Sequence, residues 1–381
     1  MKKVITILSC CLLLTILTYP ALGVTNSSLD RRLTNLSNRF SNLESTWGRF
    51  QIGGNFKLDS TSSVNTESEK LSSLEYNQEL HIFLNAYVDP TVQFSLNLAQ
   101  VGNWGAYYPS TILPFQVDEA FLKVNSFGTL DYLGRFRFSL GPLGILSDFY
   151  NNPAEGIAIQ KEFNNHYHIV AVYSRVYTEY DPDTSKLNQT YDYFVTRLGW
   201  SNKTTLVGLN LVPKGGANEQ GISIDWSTNT NDTKLAAEVG LFSQNPGQTE
   251  WSPGAIISYG KNIGANSFLQ LKAGYIAPGF APYYSSLSRS FLDNREWFIP
   301  DSKGIEIFLH NDLKKGFGLD NRLIVFNPVQ SSQSDDLLYR FKSSLIKNFS
   351  PVNQLQLGID LKSYPDEDLD KQIFASWFIQ F

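Results

Sequence analysis

Lys371-Gln372-Ile373-Phe374-Ala375-Ser376-Trp377-Phe378-Ile379-Gln380-Phe381 closes the chain, and the order of its residues sets how the rest is read. An extended backbone sends successive side chains to opposite faces. Ile373, Ala375, Trp377, Ile379 and Phe381 therefore share one face, which predicts a strand running to the last residue.

The same period of two recurs upstream. Leu355, Leu357, Ile359 and Leu361 alternate with Gln354, Gln356, Gly358, Asp360 and Lys362, and Leu80, Ile82, Leu84, Ala86 and Val88 alternate with Glu79, His81, Phe83, Asn85 and Tyr87. Phe50, Ile52, Phe56 and Leu58 alternate with Arg49, Gln51, Asn55 and Lys57. Alternation alone suits a soluble sandwich as well as a membrane barrel, so connection lengths decide. Strands are predicted near 47–60, 72–89, 91–104, 114–127, 130–144, 155–164, 166–181, 190–201 and 204–214. Nine more follow near 219–229, 232–244, 252–262, 266–278, 303–314, 318–330, 337–348, 353–364 and 371–381. Short connections such as Asp89-Pro90 and Ser201-Asn202-Lys203 alternate with mostly longer ones such as 145–154 and 279–302. That asymmetry is expected of an all-β transmembrane antiparallel β-barrel. About eighteen strands are expected, with sixteen as the rival count. Trp47, Trp104, Trp200, Trp226 and Trp251 fall near predicted strand ends, where ring systems with a polar edge collect at membrane rims.

The start of the chain gives an address. Met1-Lys2-Lys3 precedes an apolar run from Val4 to Leu17, and Ala21-Leu22-Gly23 supplies small residues for cleavage before Val24. Residues 1–23 read as a secretory signal peptide. Cys10 and Cys11, the chain's two cysteines, leave with it. Losing Lys2 and Lys3 leaves 29 of the 31 basic residues against 36 acidic ones, a formal charge of −7 that argues against nucleic acid as a partner. The expected location is the bacterial outer membrane, with both termini periplasmic. A terminal Phe381 completing a strand with Trp377 and Ile379 resembles the signal that the barrel-assembly machinery reads on outer-membrane proteins.

Residues 24–46 differ in period. Leu29, Leu33, Leu36, Phe40 and Leu43 are spaced 4, 3, 4 and 3, an a/d seam. Arg39 before Phe40 and Glu44 after Leu43 resemble the pattern of short three-stranded coiled coils. A periplasmic helix results, either trimerising the chain or packing on the rim of the barrel formed by 47–381. A homotrimer supplies the local concentration that so short a coil needs.

The whole chain after residue 23 resembles a bacterial porin. Gly134-Arg135-Phe136-Arg137-Phe138-Ser139-Leu140-Gly141-Pro142-Leu143-Gly144-Ile145-Leu146-Ser147-Asp148, followed by Gly156-Ile157-Ala158-Ile159, resembles porin-like proteins of outer membranes tethered by S-layer-homology domains. The interval before the barrel is too short for such a domain, so the tether itself is not implied.

Sixteen to eighteen strands leave an aqueous lumen. Facing assigns Arg49, Lys57, Glu79, His81, Glu119, Lys123, Arg135, Arg137, Glu238, Lys272, Glu306, Asp312, Arg322, Arg340 and Lys342 to its wall. Both signs are present, which predicts a transverse field; paired basic positions such as Arg135 with Arg137 suit anions or sugar acids, unless they only neutralise acids nearby. Segments 145–154 and 279–302 are the candidates for narrowing the pore. No cofactor is expected, His166 and His168 lack a third metal ligand, and no Ser–His–Asp set can be placed by spacing. The expected function is passive diffusion of small hydrophilic solutes across outer-membrane lipid. A plugged structural, receptor or adhesin barrel acting through its loops is the alternative.

Overall fold

A computed structural model describes residues 50–64, 74–104, 111–112, 114–149, 153–164, 166–177, 180–181, 186–187, 190–215, 219–244, 250–282, 284, 286, 300–329, 337–363 and 369–381. The proposed signal, the seam residues Leu29, Leu33, Leu36, Arg39, Phe40, Leu43 and Glu44, and Arg49 lie outside the described residues.

Strands form in the order β1 (Phe50–Ser63), β2 (Glu75–Asp89), β3 (Val92–Trp104), β4 (Thr111–Ile112), β5 (Gln116–Ser126), β6 (Thr129–Phe136) and β7 (Ala154–Phe163). Next come β8 (Tyr167–Tyr177), β9 (Tyr180–Asp181), β10 (Lys186–Leu187), β11 (Thr190–Ser201), β12 (Thr205–Gly215), β13 (Glu219–Asn229) and β14 (Thr233–Ser243). The last are β15 (Ser252–Asn262), β16 (Ser267–Ile276), β17 (Ser302–Asp312), β18 (Phe317–Pro328), β19 (Leu338–Ser350), β20 (Asn353–Lys362) and β21 (Asp370–Gln380). Setting aside the two-residue strands β4, β9 and β10, eighteen strands pair antiparallel with their neighbours, and β1 pairs with both β2 and β21. The sheet is a closed eighteen-stranded barrel, so sixteen is not the count.

Closure happens where the C-terminal strand was expected to end. Asn55 stands opposite Gln380, and the ladder continues to Ser63 opposite Gln372. Gly54 and Phe381 then exchange two backbone hydrogen bonds of 2.9 Å. Glycine is required at 54 because an added Cβ would lie 2.4 Å from the His81 carbonyl oxygen and 2.6 Å from the Phe381 ring. Trp377 is 42% exposed on the outer face, and its indole N–H donates to Asn353 Oδ1 at 2.8 Å. Ile379 sits between Phe56 and Asn353 on the neighbouring strands.

Turns at one end are tight. Phe127 and Gly128 take φ of 50° and 74°, the left-handed pair that matches the twist of a two-residue hairpin. The other end carries the long connections, and one of them corrects the expected strand over 130–144. β6 stops at Phe136 and the chain turns inward. Pro142 has no N–H for a ladder, and Gly144 takes a φ of 62°. Residues 138–149 return on themselves through a bridge between Ser139 and Asp148 and through Phe149 N–H donating to the Phe138 carbonyl at 2.8 Å. Phe136, Ile145, Leu146, Phe149, Tyr193, Phe242, Ile276 and Phe280 are wholly buried. The apolar core of this protein is therefore an inward loop packed against the barrel's own wall.

Candidate functional site: the barrel lumen

Facing follows from the ladder register. Leu122, Ile157, Ile224, Val239, Ile305 and Ile359 are each 41–59% exposed and lie on the outer face. Their alternate neighbours line the lumen. Lys57, Glu79, His81, Glu119 and Arg137 gather around one cavity of about 610 Å³, with Asn55, Phe83, Asn97, Asp118, Phe138, Ser139 and Phe378. Lys123 stands opposite Gln93 and Tyr132, its Nζ 5.9 Å from the Tyr132 ring.

The acidic side of the cavity depends on a β-bulge. Asn97 pairs with Glu119 but Leu98 pairs with Val117, so Asp118 is an extra residue in β5. Such an insertion re-aims a side chain. Asp118 and Glu119, neighbours in sequence, both reach the lumen, where Arg137 bonds Asp118 at 2.5 Å and approaches Glu119 at 3.7 Å. His81 Nδ1 lies 3.4 Å from Asn97 Oδ1.

A basic stretch covers the wall from β16 to β20. Lys272 lies opposite Glu306, Arg340 opposite Lys362, and Lys342 opposite Arg322 and Asp360. Arg340 makes a two-pronged bond to Asp360 at 2.9 and 2.6 Å, and Lys272 reaches Glu306 at 3.4 Å. Arg322 lies 3.7 Å from Glu306, with its guanidinium 5.0 Å from the Phe308 ring. The Lys342 ammonium is 4.7 Å from the Phe374 ring. Five cations thus share Glu306, Asp360 and Asp370, the last opposite Lys362. Asp312 belongs to a separate group nearer the tight turns, where it and Asp320 hold the two ring nitrogens of His310 at 3.2 and 2.5 Å.

The inward loop sits on a third, buried network. Arg197 forks onto Asp225, and Asn210 Nδ2 donates to Asp225 at 2.8 Å and to Ser223 Oγ at 3.0 Å. Ser223 donates to Glu238 at 2.8 Å, whose other oxygen accepts the Ile145 N–H at 3.2 Å. A second inward segment braces the loop from above: Ser286 N–H donates to the Gly144 carbonyl at 2.8 Å, and Asp148 N–H to the Tyr284 carbonyl at 3.1 Å. The Tyr284 and Phe149 rings are 4.4 Å apart.

One expected lumen residue lies elsewhere. Arg135 stands opposite Ala120 and Glu155 and bonds Glu155, on the face of Leu133 and Ile157. The lumen face there carries Phe121, Tyr132 and Phe136, whose rings cluster 5.7–6.5 Å apart. Assigning apolar residues of this strand to lipid inverted its faces, because the apolar core is inside. Asp118, Arg197 and Asp225 were passed over, although Asp225 between Ile224 and Trp226 carries the signal of alternation. His166 and His168 do not converge: His166 lies 3.0 Å from the Ser201 carbonyl, and the His168 ring packs over Gly199.

These features define a closed eighteen-stranded antiparallel barrel with a charged lumen and an inward loop. No family model matches the chain, and no curated protein matches it by sequence. Solved structures share the fold. Pseudomonas aeruginosa OpdO superposes with a TM-score of 0.62 at 10% identity, covering 88% of this chain and 97% of that one. The outer membrane protein opdK of P. aeruginosa gives 0.59 at 13% identity, covering 87% and 98%. P. aeruginosa OccK2 (OpdF), solved in complex with glucuronate, gives 0.59 at 11% identity, covering 88% and 98%.

Proposed function

We propose that this protein is an outer-membrane channel for small hydrophilic solutes, with a preference for anions. The supporting observation is the charged inner wall: a cavity of about 610 Å³ beside the inward loop holds Glu79, Asp118 and Glu119 with Lys57 and Arg137, and the Lys272–Arg322–Arg340–Lys342–Lys362 stretch covers the separate wall from β16 to β20. Charges of both signs along the lumen order a solute that carries both a charge and polar edges, and the local excess of cations on the β16–β20 wall draws anions toward it. The likeness to opdK, an outer membrane protein, and to OccK2, solved in complex with glucuronate, supports the same location and solute class. In this reading residues 1–23 are removed on export, the barrel-assembly machinery reads the strand ending at Phe381, and both termini lie in the periplasm. Transport is passive, with no cofactor and no catalytic step.

Planar-bilayer recording of the purified protein tests this. Discrete open-channel steps with a reversal potential of anionic sign in a potassium chloride gradient are expected. A barrel that inserts yet gives no steps is a plugged one, and the channel reading then fails.

A further inference from the structure

The outer wall is not uniform. On β14 the outward residues Thr233, Leu235, Ala237, Val239 and Leu241 carry no charge. They cover about 26 Å of strand at about 3.3 Å per residue. At a tilt of about 40° that is roughly 20 Å of height, close to the apolar band of about 25 Å that surrounds a membrane barrel. On β6 the outward set is Thr129, Asp131, Leu133 and Arg135. Charges bracket a single apolar residue, and Asp131 to Arg135 spans only about 13 Å of strand, or about 10 Å of height. β7 repeats the pattern, with Glu155 and Lys161 around Ile157 and Ile159.

Hydrocarbon at this wall would have to reach acidic groups. Lysine and arginine can extend toward the headgroups, but the short side chains of Asp131 and Glu155 cannot. One oxygen of Asp131 is moreover buried without a hydrogen-bond partner. Above the apolar patch a row of charges crosses four adjacent strands: Arg135 on β6, Glu155 on β7, Arg175 on β8 and Asp192 on β11. Its signs alternate. A lipid phosphate would call for one sign, whereas an alternating row is complementary to a copy of itself.

We propose that the outer wall of β6–β8 is covered by a second copy of this chain, with Leu133 and Ile157 at the contact and the Arg135–Asp192 row pairing along its rim. This rests on the membrane-barrel reading above and names the face through which the barrels associate. It does not depend on the N-terminal seam.

The test uses single thiols introduced into the protein in native-like proteoliposomes. L133C and I157C are compared with V239C on the charge-free wall, each scored only if it shows the heat-dependent gel shift of a folded barrel; I159C replaces either variant that does not fold. A short bis-maleimide should link L133C and I157C into covalent dimers and leave V239C monomeric. A fluorophore at 133 or 157 should be quenched by brominated lipid at least threefold less than one at 239. Equal quenching at all sites with no cross-links means lipid, in a thinned bilayer, covers this wall, and the proposal falls. Shielding without self-cross-linking means that something other than the same wall of a second copy covers this face, which also overturns it. Conductance of the same samples reports on the channel separately, so a silent channel with intact cross-links fails only that reading.

Discussion

Arg135 and Arg137 are two residues apart yet face opposite media. Arg137 lies beside the cavity against Asp118 and Glu119, while Arg135 bonds Glu155 on the outside. A unit charge about 8 Å from a passing ion contributes about 0.5 kcal/mol in water, or roughly a twofold change in permeability ratio. Arg137→Gln should therefore move the reversal potential in a salt gradient toward cations by about that factor, because it removes a cation and frees two carboxylates. Arg135→Gln should leave it where it was. An equal shift in both variants would show that the facing assigned here is wrong. Most of the lumen was legible because a period of two sorts charges by face, as with Glu238, Glu306, Arg322, Arg340 and Lys342. The acidic pair at 118 and 119 was legible only in half: a bulge breaks the period, and no residue type announces it.

Among elements, the inward loop departs most from what the sequence suggests. Phe136, Phe138 and Leu140 continue an alternation that reads as strand, and nothing in that pattern separates a residue meeting lipid from one meeting an apolar core in the lumen. What fixes the loop is a buried acceptor, Glu238, with one oxygen on Ile145 N–H and the other on Ser223. Leaving such a donor buried without an acceptor costs about 1–3 kcal/mol. In Glu238→Ala, amide exchange at residues 145–146 should rise at least tenfold, and open-channel noise should grow as the loop leaves the wall more often. Glu238→Gln retains one acceptor oxygen and should change both less. Unaltered exchange in the alanine variant would mean that Tyr284 and Ser286 hold the loop unaided. The strands themselves were more legible, since their turns and alternation agree; the contrast between tight and long connections also gave eighteen of them.

At the scale of the whole molecule, the location of the apolar core sets which losses the fold can tolerate. In a soluble domain the core holds the chain together, and removing a dozen residues of it unfolds the protein. Here each strand's backbone groups are satisfied by its neighbours, and the Gly54–Phe381 exchange completes the ring, so the barrel needs no lumen core to close. The loop's packing is local: Gly141 lies against Arg197 and Asp225, and Ile145 N–H is held by Glu238 on the inner wall. Replacing Gly141–Ser147 by two glycines should therefore leave a barrel that still shifts on a gel only when heated. An eighteen-stranded ring without its loop has a lumen wide enough for bulk water, and single-channel conductance should rise severalfold. Selectivity should weaken in parallel, as ions pass farther from the Lys272–Lys362 wall and water screens them from it. A variant that loses the heat-dependent shift would show that the loop is part of what closes the ring. The separation of wall from filling would then be wrong for this chain.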